Sequence, residues 1–156
     1  MKLAKTDHDR LWLQLGRRER SLLLEVLGSY PLVDSTYHRA TRSADPRVDQ
    51  PLLEEALTAL KQENQERLAA FLAAPQRFRE IEGEGFLVIE FQDLEWLLQV
   101  VNDLRVGNWL KLGSPDANSL DQLTLDLQRV RYVVAMELCG VLEAVLLEAS
   151  FERPAT

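Results

Sequence analysis

The residues best equipped for chemistry in this chain are Asn102, Asp103 and Arg105, in the run Asn102-Asp103-Leu104-Arg105. On a helix, Asn102 and Arg105 share a face, three positions apart, while Asp103 points about 100° away. Arg105 could clamp a carboxylate or phosphate through two parallel bonds, and Asp103 could accept a bond from a crossing chain. The structural reading of the same residues is that Asn102 and Arg105 anchor a neighbouring segment by satisfying its carbonyls or acids. That reading predicts both to be substantially buried. Catalysis would need a further acid or base, and the nearest supply is the stretch Glu80, Glu82, Glu84, Glu90, Asp93 and Glu95. A small enzyme using Asp103, Arg105 and an acid from 80–95 is therefore the alternative to a non-catalytic protein. Its signature would be Arg105 and such a carboxylate converging in one concave pocket.

Other chemistries find little footing. His8 and His38 are the only histidines and Cys139 the only cysteine, which leaves no zinc-ligand spacing and no disulfide within the chain. Cys139 lies in an apolar run without a basic neighbour in sequence. It reads as a core thiol, since an activated thiolate needs positive surroundings. Gly83-Glu84-Gly85 lacks the rest of a phosphate-binding fingerprint, and no serine sits in a GxSxG elbow. The acids of 80–95 match no calcium-loop spacing and read as a solvated rim. We expect no catalytic residues in the favoured reading, no cofactor and no metal.

These side chains must be held by a fold of 156 residues, enough for a single domain over 1–156 with a real core. Hydrophobic residues at 46% and charged residues at 28% are ordinary for a soluble globular chain. The net charge of −7 is uneven: residues 1–44 balance at +3, 45–79 at −1, and 80–156, with five basic against fourteen acidic residues, at −9. An acidic half favours solubility, or a basic partner. Arg17-Arg18-Glu19-Arg20 is short and free of aromatics, so nucleic acid is not expected as a partner. The N-terminus, MKLAKTDHDR, has no apolar core of a secretory signal. The longest apolar run, Val133 to Ala149, is broken by Glu137, Glu143 and Glu148, which argues against a membrane span. A soluble, cytoplasmic protein is the expectation.

Periodicity predicts a mainly α fold: a four-helix domain with two short strands. Residues 11–15 read as a strand, followed by a helix over 17–29 with Leu23, Val26, Leu27 and Tyr30 on one face. Residues 31–50 read as a loop. A second helix starts at Pro51 and ends before Pro75, with Leu53, Leu57, Leu60, Leu68, Phe71 and Leu72 inward and Glu63 paired to Arg67 outside. Phe86 to Phe91 is the best strand, and Phe78–Ile81 could pair with it across the glycines. The Asp93–Gly113 helix follows, then a last helix over about 120–151. Its expected inward stripe is Leu123, Leu127, Val130, Val134, Leu138, Val141 and Val145. An internal echo links Leu11-Trp12-Leu13-Gln14-Leu15 and its helix to Leu87-Val88-Ile89-Glu90-Phe91 and its helix, at an offset of 76 residues (87 − 11). It predicts two strand–helix units whose strands pair.

The spacing from Trp96 through Asn102-Asp103-Leu104-Arg105 to Leu112-Gly113 resembles an uncharacterised bacterial domain-of-unknown-function family common in actinobacteria. Its hallmark is a Trp, then Asn-Asp-Leu-Arg, then a Leu-Gly-Thr-Arg-Leu-Gly tail. Here Trp109-Leu110-Lys111 stands in place of Gly-Thr-Arg, and Lys does not reproduce the bidentate geometry of Arg. Members are often encoded near the adaptor of the Clp protease, so the resemblance implies protein interaction. With no catalytic constellation in view, the favoured function is a non-catalytic cytoplasmic interaction or regulatory protein. A homodimer is expected as well. Val133–Ala149 holds more apolar positions than one stripe needs, and Gly140 and Ala144 would let another backbone approach. Trp109 stands where the family carries a small residue. Trp109, Trp96, Gly140 and Ala144 are the candidate interface residues.

Overall fold

The computed structural model describes residues 1–32, 50–116 and 126–151. Strands β1 (Lys2–Thr6) and β2 (Arg10–Gln14) lead into α1 (Arg17–Gly28) and α2 (Gln50–Ala73). Strands β3 (Phe78–Ile81) and β4 (Glu84–Glu90) lead into α3 (Phe91–Lys111) and α4 (Leu127–Phe151). Among the described residues the order strand, strand, helix, helix therefore occurs twice.

All four strands join one antiparallel sheet in the order β1-β2-β4-β3. The pairing expected between 11–15 and 86–91 is its centre, where Leu11 faces Ile89, Trp12 faces Val88 and Leu13 faces Leu87. Trp12 and Val88 are also equivalent positions of the echo, 76 residues apart (88 − 12), so an approximate two-fold axis passes between them. A strand leaves its backbone groups unpaired unless a neighbour takes them, and here each central strand supplies the other. The mainly helical expectation holds in part: four helices are described, but the sheet has four strands rather than two. Strand β3 pairs with β4 across Glu82 and Gly83, both at positive φ, as a two-residue hairpin turn requires. Strand β1 is the one the sequence hides. Lys2-Leu3-Ala4-Lys5-Thr6 has no clean alternation because it is an edge strand, and its lysines are the kind of charge that protects an edge. Gly85 is dictated by close approach. A Cβ there would lie 2.7 Å from the Leu15 carbonyl oxygen, where the chain leaving β2 still runs beside β4 and the Leu15 amide donates to the Gly85 carbonyl.

One face of the sheet is buried under helices. Leu11, Leu13, Leu87 and Ile89 share one core with Leu23, Val26 and Leu27 of α1 and with Tyr30 just beyond its end. Leu97, Val100, Val101 and Leu104 of α3 and Leu142 and Leu146 of α4 complete the core. The helix pair α3 and α4 makes the most extensive contact between helices.

Two expected stripes need correction. Among the described residues of α2, Leu68 and Phe71 are buried, Leu53, Leu57 and Leu72 are half-buried, and Leu60 is exposed. In α4 the inward row is Ala135, Cys139, Leu142, Val145, Leu146 and Ala149, with Leu138 at its margin, so Val145 is buried as expected. Leu127, Val130, Val134 and Val141, expected inward, face out. The helix carries two apolar rows, and the sheet and α3 take the one with the smaller residues. Leu123 lies outside the described residues.

Candidate functional site: the groove between α3 and α4

Arg105, Trp109, Gly140 and Ala144 come together along one groove. The last turns of α3 and the middle of α4 enclose a volume of about 560 Å³, walled by Arg105, Val106 and Trp109 on one side and Glu137, Gly140, Val141 and Ala144 on the other. Two local causes shape it. Gly140 lacks a side chain, and nothing lies within 4 Å of where its Cβ would be, so the wall is open there. Trp109 is fixed at the rim. The Gly113 and Ser114 amides donate to the carbonyls of Leu110 and Trp109, closing α3 with a left-handed glycine. The chain then returns so that the Trp109 indole N–H donates to the Pro115 carbonyl at 3.0 Å. A pinned indole left 37% exposed is a costly way to finish a helix end unless something covers it.

The polar run behaves differently from its expected anchoring role. Asn102, Asp103 and Arg105 are all exposed. The buried face of α3 runs through Leu97, Val100, Val101, Leu104 and Asn108, so the positions flanking Leu104 turn to solvent. Arg105 does reach a neighbouring element: its guanidinium pairs with Glu143 of α4, although its own side chain is 50% exposed. Near this end of the helix the buried polar side chain is Asn108, whose Nδ2 donates to the Leu104 carbonyl at 2.7 Å. Beneath the Arg105–Glu143 pair lies Cys139, buried as expected of a core thiol. Burial pushes its pKa up to about 12, the Glu143 carboxylate adds to the rise, and Arg105 opposes it.

No residue of 80–95 lines this groove, so Arg105 and those acids do not converge. Glu80, Glu82, Glu84 and Glu95 are exposed. Asp93 is committed at the other end of α3, ten residues (103 − 93) before Asp103 and so about 15 Å along the axis. Only 8% exposed, it accepts from Arg67 of α2 at 2.8 Å and from Arg77, just before β3, at 2.7 Å. Arg77 also lies 3.8 Å from Glu90, while its Nε is buried without a bond. Arg67 therefore turns to Asp93, not to the surface pair expected with Glu63. Sequence reading missed both arginines as partners of Asp93, because they are 26 and 16 residues away and carry no local signal.

Trp96 is also corrected: it belongs to this buried end rather than to an interface. Its ring lies under Arg67 and edge-on to Phe71, and its N–H donates to Asn64 at 3.0 Å. Asn64 in turn donates to the hydroxyl of Tyr30, tying α1, α2 and α3 together.

Among the described residues no three His, Cys, Asp or Glu side chains gather as a metal site, and no helix is long and apolar enough to cross a membrane. A second concavity, of about 420 Å³, lies between β1, the start of α1 and the β3–β4 hairpin; its rim mixes Arg17, Arg20 and Arg79 with Glu19, Glu80 and Glu84. Comparisons with protein-family models, with curated proteins and with solved structures return no match.

Proposed function

We propose that this chain is a non-catalytic cytoplasmic interaction or regulatory protein, that it works as a homodimer, and that its working surface is the α3–α4 groove. The observation that carries the reading is the Trp109 rim. A large aromatic, held by its own hydrogen bond beside the open wall at Gly140, has the form of an interface anchor. Val106 and Val141 extend the same exposed apolar surface. The ion pair that the groove residue Arg105 makes with Glu143 joins two elements of the fold and offers no base beside a nucleophile. What the resemblance at Trp96–Gly113 implies, protein interaction, points the same way.

Sedimentation at micromolar concentration tests the reading. The expected result is roughly twice the chain mass, with Trp109→Ala moving the equilibrium toward monomer. A chain that stays monomeric at high concentration, with or without Trp109, defeats the homodimer.

A further inference from the structure

Given a homodimer through the α3–α4 groove, as proposed above, α4 itself determines how the two copies meet. Leu127, Val130, Val134, Val141, Ala144 and Phe151 follow one another at steps of three, four, seven, three and seven, and all are exposed. Glu137 and Glu148 fill the two gaps. This is a heptad seam, the pattern with which one helix packs along another. It is turned well away from the row Ala135–Ala149 that faces the core.

The two ends of the seam differ in charge and match in exposure. Leu127 at one end and Phe151 at the other are 87% and 86% exposed, the highest values among the large apolar side chains described. Arg131 flanks the first end, and Glu148 sits near the second. A parallel partner would set Arg131 against Arg131 and Glu148 against Glu148. An antiparallel partner sets each arginine against a glutamate and each bare end against the other.

We propose that α4 pairs antiparallel with α4 of a second copy, about a two-fold axis near Cys139, with Leu127 on Phe151 and Arg131 beside Glu148 of the other copy. Two independent features give the same register. The apolar ends, 127 and 151, have their midpoint at residue 139, and the charges, 131 and 148, place it within one residue of that. Val134 then faces Ala144, so a larger side chain meets a smaller one, and the partner helix enters the groove where Gly140 leaves space. Such a contact is isologous and closes at two copies. A helix of 25 residues is about 37 Å long, and a side-by-side contact of that length buries on the order of 1,000 Å² in total, the lower range of a stable interface.

Cysteine cross-linking with sedimentation separates this geometry from the dimer itself. Val134→Cys and Ala144→Cys are exposed positions, ten residues apart (144 − 134) on one helix and too distant to bridge within a chain. The double variant should form a disulfide-linked dimer under mild oxidation, and neither single variant should. Cys139 is buried and gives little background. Arg131→Glu and Glu148→Arg should each weaken association by roughly two- to fivefold, and together restore it. A dimer by sedimentation that cross-links through Ala144→Cys alone, or not at all in the double variant, overturns the antiparallel register and leaves the dimer standing. A monomer overturns both.

Discussion

The two ends of α3 are finished in opposite ways. At its first turn Asp93 is enclosed by Arg67 and Arg77, with Trp96 and Phe71 stacked beneath the guanidinium groups. The carboxylate also sits at a helix N-terminus, where negative charge is favoured. At its last turns Trp109 and Val106 stand beside an apolar wall that nothing described covers. The first end is a closed electrostatic joint between α2, β4 and α3. The second leaves Val106, Trp109 and Val141 exposed, the surface proposed above for a second copy. Charge that is buried must be answered within the chain, because an unanswered ion costs several kcal/mol; apolar surface can wait for a partner, because its exposure costs far less per residue.

The largest expected effect tests the closed end. Asp93→Ala leaves two cations facing each other beside an apolar wall, and should lower unfolding stability by about 3 kcal/mol in urea titration. Arg77→Met on that background should recover part of the loss, because the second change removes a buried charge left with only its longer contact to Glu90. If the double variant is as damaged as Asp93→Ala alone, the joint is not held by the pair and the contrast between the two ends fails.

How far this contrast was legible in the sequence follows from the range of the interactions. That the strands holding Leu11-Trp12-Leu13 and Leu87-Val88-Ile89 pair was readable because apolar strands bounded by turns announce themselves; their antiparallel register was not. The first helix was readable from the spacing of Leu23, Val26, Leu27 and Tyr30. Strand β1 was not, since an edge strand of Lys, Ala and Thr carries little hydrophobic signal. In the fourth helix the chain holds two apolar rows, and periodicity alone does not say which one the core takes. The candidate site was legible in part for the same reason. Trp109, Gly140 and Ala144 stood out as excess apolar or small positions, and they do meet. Asn102 and Arg105 stood out by type, yet burial is decided by the neighbours of Leu104, which the sequence does not display.

The open end carries the second prediction. Gly140→Leu would fill the wall beside Trp109 from within the chain. It should weaken self-association by about 2 kcal/mol or more, the scale of losing an interface anchor, while leaving the unfolding midpoint of the isolated protomer nearly unchanged. Isothermal dilution and urea titration of the same variant read the two effects separately. A loss of fold stability with association intact would place Gly140 in the protomer's own packing and remove the groove as an interface.

A pH titration probes the ground beneath the groove. Cys139 is a neutral acid whose pKa in the fold, about 12, lies above its ordinary 9.0. The unfolded chain therefore gives up that proton first. The stability this provides is whole below pH 9 and is lost as pH rises toward 12, by at most about 1.4 kcal/mol per unit. Tyr30, raised chiefly by burial, should add to the same alkaline limb. Cys139→Ala should flatten the limb, measured as unfolding midpoints from pH 8 to 11. An unchanged slope would mean that Cys139 does not titrate as a buried thiol.

The smallest effect falls on the residue that first drew notice. Arg105 is half exposed and screened by water, so its pairing with Glu143 behaves as a surface ion pair in spite of the enclosed glutamate. Arg105→Ala should lower stability by no more than about 1 kcal/mol, well short of Asp93→Ala, and Asn102→Ala should leave it unchanged. The comparison is most direct when both variants are unfolded side by side. Equal losses at Arg105 and Asp93 would mean that the two ends of α3 are held alike. A small loss at Arg105 with weakened self-association would instead locate its value at the groove, which Arg105 and Glu137 both line.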